Sequence, residues 1–107
     1  MKILKLFFIL MAIPVFLFSQ MSDYRDLVAF AEARGFVVTS TTGGSHSAGS
    51  AHYQGRAIDV RTLDHTNQQV NEFIRDARNH GIIVRDERVR PPNQSVWSGP
   101  HLHLQVP

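Results

Sequence analysis

Cysteine is absent from the 107 residues, so neither a disulfide framework nor a thiolate metal site is available. Lysine is nearly absent: Lys2 and Lys5 are the only two, both at the extreme N-terminus. They account for the whole formal net charge of +2, because beyond them nine arginines balance nine acids. No one-signed surplus remains to argue for nucleic acid. No apolar run reaches the ~18–20 residues that cross a bilayer. The longest, Leu6 to Phe18, has 13. So short a chain holds one domain with a modest core, which excludes a multidomain machine.

What the sequence does have begins with that apolar run. Two lysines, 13 apolar residues and a small Ser19 read as a secretory signal peptide over residues 1–19. Cleavage after Ser19 makes Gln20 the first residue of a single domain, 20–107, that is secreted or periplasmic. The alternative is an uncleaved anchor. Four of the seven phenylalanines leave with the leader, so a bound metal would help to hold the small core that remains.

Hydrophobic periodicity predicts a helix over Ser22 to Arg34, capped by Ser22 and stopped at Gly35, with Arg34 at the edge of its apolar stripe. A second helix is predicted over Thr66 to His80, with a Thr66–Gln69 capping box and Val70, Phe73, Ile74 and Ala77 inward. Strands are predicted at Phe36–Ser40, Arg56–Arg61, Ile82–Asp86 and His101–Val106. This order predicts an α+β fold, a small largely antiparallel sheet with helices packed on one face. Thr41 to Ser50 has the composition of a linker but lies in mid-domain, where a long loop is usually functional.

Six histidines in so short a chain draw attention to chemistry. In the last strand Leu102, Leu104 and Val106 face one side, and His101, His103 and Gln105 the other. In the Arg56–Arg61 strand Asp59 opposes Ile58 and Val60. If both apolar faces meet the helices, Asp59, His101 and His103 share the open face. The Tyr53-Gln54-Gly55 turn lets His52 fold back toward Asp59. Two imidazoles, one carboxylate and a water would make an open catalytic zinc site, although other divalent metals also accept such ligands. Residues two apart on a strand are ~6.5–7 Å apart. One of His101 and His103 can therefore bind metal while the other acts as an acid/base group. Asp64, Asp86 and Glu87 read as solvated, and His65 and His80 as surface or helix-end residues.

The segment Ser50-Ala-His52-Tyr-Gln-Gly55-Arg-Ala57-Ile-Asp59 resembles the Ser-x-His-x-x-Gly-x-Ala-x-Asp signature of the D-alanyl-D-alanine carboxypeptidase family of zinc metallopeptidases. Gly99-Pro-His101-Leu-His103-Leu resembles the corresponding segment of lysostaphin-type peptidases. The two families share a superfamily with the hedgehog signalling domain. The resemblance implies that His52, Asp59 and His103 bind zinc and that His101 is catalytic. It also implies that Ser50 supports the ligand loop and Gly55 the turn.

Two positions depart from the first family. Its general-base glutamate, three residues before the last ligand, is Pro100 here. Its Tyr-Arg-Ser segment is Val38-Thr-Ser-Thr-Thr, with no arginine. Arg56, Arg61 and Arg85 are the candidates for the missing arginine's role or for holding a substrate carboxylate. Ser50, His46, Trp97 and Arg56 are assigned to the substrate cleft.

The implied function is a monomeric zinc peptidase acting on peptidoglycan peptides, at bonds involving D-alanine, with no nucleic-acid partner and no stable membrane insertion after cleavage. The alternative is a non-catalytic zinc-containing binding module of the same fold.

Overall fold

Helix α1 runs Tyr24–Ala33, and its cap is Asp23, whose carboxylate accepts from the Arg25 amide. This corrects the expected Ser22 cap. The Ser22 amide and hydroxyl both donate to Asp26 Oδ2, at 2.8 and 2.9 Å, one turn into the helix. Gly35, at φ +80°, carries the chain out of the helix in a conformation that costs glycine little. Arg34 ends the apolar stripe as expected: its guanidinium lies 3.5 Å from the Phe30 ring centroid, and its Nε donates to Asp76 Oδ2 at 2.6 Å. The structure, a computed structural model, describes residues 21–43, 49–95 and 97–107. The expected leader, residues 1–19, and His46 lie outside them.

Among the described residues the remaining elements are β1 (Val38–Ser40), β2 (Ala57–Arg61), α2 (Asn67–Asn79), β3 (Ile83–Glu87) and β4 (His101–Gln105). The Thr66–Gln69 capping box is fully formed, and α2 buries Val70, Phe73, Ile74 and Ala77. The four strands make one sheet in the order β1-β2-β4-β3, with every neighbouring pair antiparallel. The class is therefore α+β with a small antiparallel sheet. Leu27, Phe30 and Ala31 of α1 and the four buried residues of α2 join Ile58, Val60, Val84, Leu102 and Leu104 in one core cluster.

Strand pairing sets cross-strand rows on the other side of the sheet. Asp59 lies opposite His103, which lies opposite Arg85. Arg61, His101 and Glu87 form the next row. The face expected to be open is not: Ala57 to Val60 and His101 to Leu104 are buried throughout. Residues 49–52, Arg56, residues 92–95 and residues 97–98 line a cleft over these rows, so the polar residues sit at its floor and not on a bare surface.

Candidate metal centre

His52 reaches the sheet through a tight turn. The Gly55 amide donates to the His52 carbonyl at 3.0 Å, and the Arg56 amide to the Ala51 carbonyl at 2.9 Å. Gly55 sits at φ +71° with only ordinary contact awaiting a Cβ, so backbone conformation is what calls for glycine there. Ser50 Oγ accepts the His52 amide proton at 3.1 Å. The ring is fixed as well: Nδ1 lies 2.9 Å from the Thr41 carbonyl, which can only accept, so Nδ1 carries the hydrogen. Nε2 then points its lone pair into the site, as a metal-binding imidazole held by an outer carbonyl does.

His52, Asp59 and His103 are all buried and bring one ligand atom each within 4.8 Å of one another. Asp59 Oδ1 lies 3.2 Å from His52 Nε2, 3.5 Å from His103 Nδ1 and 3.8 Å from His101 Nε2. Yet it is buried with no hydrogen bond among the described residues. Close nitrogens that do not align as donors leave this oxygen with a coordination need that a cation meets. The donor set of two imidazoles and a carboxylate, without thiolate, suits a divalent ion. The group can hold a metal ion on these grounds.

The electrostatics agree. Burial opposes the Asp59 carboxylate, but the His103 and His52 imidazoles outweigh it and hold its pKa well below the usual carboxylate range. Burial likewise opposes a charged His52. The Asp59 carboxylate and the Thr41 carbonyl prevail, so its pKa is raised when no metal is present.

Around this centre the donors run in one direction. Arg85 Nη2 lies 3.0 Å from His103 Nε2, and His103 Nδ1 lies 3.0 Å from His52 Nε2. Gln105 Oε1 also approaches His103 Nε2, at 3.1 Å.

His101 stands one strand-step away, and both of its nitrogens face acceptors. Nδ1 lies 2.7 Å from the Gly99 carbonyl, and Nε2 lies 2.8 Å from Glu87 Oε2. Glu87 corrects the sequence reading of a solvated residue: it is only 6% exposed. The expected strand ended at Asp86, one residue short. Extending the alternation past Val84 by three residues places Glu87 on the polar side with Arg85.

The cleft above these groups has a volume of about 810 Å³, and Ser50, Arg56 and Trp97 are among its lining residues. Trp97 is fixed by Nε1 donating to the Glu87 carbonyl at 3.2 Å. Arg61 is not among the lining residues; Arg85 is. His65 stacks on Phe36 with centroids 3.9 Å apart, and His80 Nδ1 bonds the Asp76 carbonyl at 2.8 Å, away from the site.

Compared with protein-family models, with curated proteins and with solved structures, the chain matches none.

Proposed function

We propose that this chain is an exported zinc peptidase, secreted or periplasmic, that hydrolyses peptidoglycan peptides at bonds involving D-alanine. The observation that carries the reading is the convergence of His52, Asp59 and His103 on one unsatisfied carboxylate oxygen at the floor of a cleft, with His101 beside them. These are the residues that the resemblance to zinc carboxypeptidases and lysostaphin-type peptidases marks as ligands and catalytic group.

His52 and His103 would hold the ion as neutral imidazoles and Asp59 as a carboxylate. Zinc held there supplies a Lewis acid for a scissile carbonyl and for water. His101 presents its ring to the cleft with both nitrogens engaged by acceptors. Its Nε2 hydrogen, held by Glu87 in the free protein, is the one that would turn to charge developing on the carbonyl oxygen and then pass to the leaving amine. Glu87 orients that ring and takes the place in the proton inventory that Pro100 leaves vacant. Trp97 and Ser50 wall the cleft in which the peptide lies.

The deciding experiment is mass spectrometry of peptidoglycan fragments after digestion with the zinc-loaded protein. New termini at D-alanine bonds support the proposal. Intact fragments with full zinc loading would make the protein a binding module. Export is tested by N-terminal sequencing of the protein recovered outside the cytoplasm, with Gln20 expected first.

A further inference from the structure

A guanidinium keeps its charge at any physiological pH and seeks an anion or a strong acceptor. Arg25 and Arg88 are paired to Asp23 and Asp86, and Arg34 to Asp76. Of the two arginines that line the cleft, Arg56 rests its Nε and Nη2 on Gln54 Oε1 at 3.0 and 2.7 Å. Arg85 has no carboxylate within 4.0 Å among the described residues. Its one acceptor there is a neutral ring nitrogen, Nε2 of His103, at 3.0 Å.

That acceptor is incompatible with the proposed ligand role. His103 turns Nδ1 toward His52 and Asp59. A neutral imidazole that gives Nδ1 to a metal carries its hydrogen on Nε2. Gln105 Oε1, at 3.1 Å, is placed to accept that hydrogen. Two donors cannot share the position, so Arg85 loses its acceptor in the arrangement that binds a metal. Its side chain is exposed at the cleft wall, free to turn to an anion from solution.

We propose that Arg85 anchors a carboxylate of the bound peptide. The inference rests on the peptidase reading and deepens it. Arg85 is the cross-strand partner of His103, and its Nη2 lies 3.0 Å from Nε2 of that ring, whose Nδ1 faces the centre, so the guanidinium stands about one imidazole's width from the candidate metal centre. A peptide residue spans at most about 3.6 Å. A carboxylate held by Arg85 is therefore within one or two residues of the bond at the metal centre. The substrate class is a peptide whose free carboxylate adjoins the scissile bond, and the action is carboxypeptidase rather than endopeptidase.

The test uses an N-acetylated tripeptide ending in D-Ala-D-Ala, as the free acid and as the C-terminal amide. Binding to the zinc-loaded protein is read by calorimetry, and cleavage separately by mass spectrometry. Wild type should bind the acid roughly tenfold or more tightly than the amide, as charge-assisted hydrogen bonds imply. Arg85→Gln should bind both equally, with zinc content unchanged. Arg85→Lys, which keeps the charge but loses the planar fork, should retain part of the preference, and it stands in if the glutamine variant does not fold.

Equal binding of acid and amide by wild type overturns the anchor, as does a preference that survives in Arg85→Gln, or no binding of either peptide. Arg85-dependent acid binding without cleavage keeps the anchor and removes the hydrolysis. Cleavage with no acid preference keeps hydrolysis and removes the anchor.

Discussion

Glu87 Oε2 lies 2.8 Å from Nε2 of His101, and the two residues are direct cross-strand partners on β3 and β4. Both are buried, and the other His101 nitrogen is held by the Gly99 carbonyl. The ring is thus fixed at two points beside the candidate metal centre, by a carboxylate from a strand that carries none of the three candidate ligands.

Glu87→Gln keeps the size of the side chain and removes its charge. Zinc content should stay at one ion per chain. Peptide turnover should fall about 10–100-fold, the usual cost of losing an outer partner of a site residue. Elemental analysis alongside a peptide-cleavage assay reads both. Loss of zinc in this variant would place Glu87 among the ligands instead.

His101 and His103 should separate by phenotype, although they share one strand face. His101→Ala should keep the metal and lose roughly 10²–10⁴-fold in turnover, the range for a positioned acid/base group. His103→Ala should lose metal and turnover together. The same two measurements decide, and the opposite pattern reverses the roles.

Zinc should carry part of the fold's stability. At a free concentration about 100 times its Kd, a ligand that binds only the folded state adds ~2.7 kcal/mol. In a domain of this size that corresponds to about 10–20 °C in Tm. Thermal melts with zinc and with a chelator should differ by that order in wild type. The difference should vanish in His52→Ala and Asp59→Asn. A wild-type Tm indifferent to chelation argues against the site.

The two forms should respond to pH in opposite senses. Without metal, the raised pKa of His52 contributes stability that is complete below the usual histidine value of about 6.5 and is lost as pH rises through the raised value. Metal needs the neutral ring, so zinc binding strengthens over the same rise. The Asp59 carboxyl, held well below the usual range, stays ionised throughout. The gap in Tm between zinc-loaded and chelated protein should widen from pH 5.5 to pH 8. A gap that is constant or narrows over that interval contradicts neutral-imidazole ligation.

Much of this was legible because it is local. The capping box of α2 involves residues three apart, and the alternation of Leu102 and Leu104 with His101 and His103 follows from the two-residue period of a strand. The spacing from His52 through Gly55 to Asp59 needs only a tight turn and a short strand to bring the two ends together. Even locally, competition blurred one end: Ser22 had the chemistry of a cap, but its hydroxyl was taken by Asp26 and the cap fell to Asp23.

By itself, then, the sequence determined the elements and the inward faces, and it placed the candidate residues of the metal centre on a turn and two strands, since each of these depends on residues close along the chain. Only the tertiary structure decided what surrounds that set. The order β1-β2-β4-β3 sets β3 beside β4, and so brings Glu87 to His101 and Arg85 to His103 across sequence separations of 14 and 18. Likewise, the polar face became the floor of a cleft because residues 49–52, 92–95 and 97–98 wall it. Strand order and loop placement are set by how the whole core packs, and no periodicity within one segment encodes which segment will lie next to it.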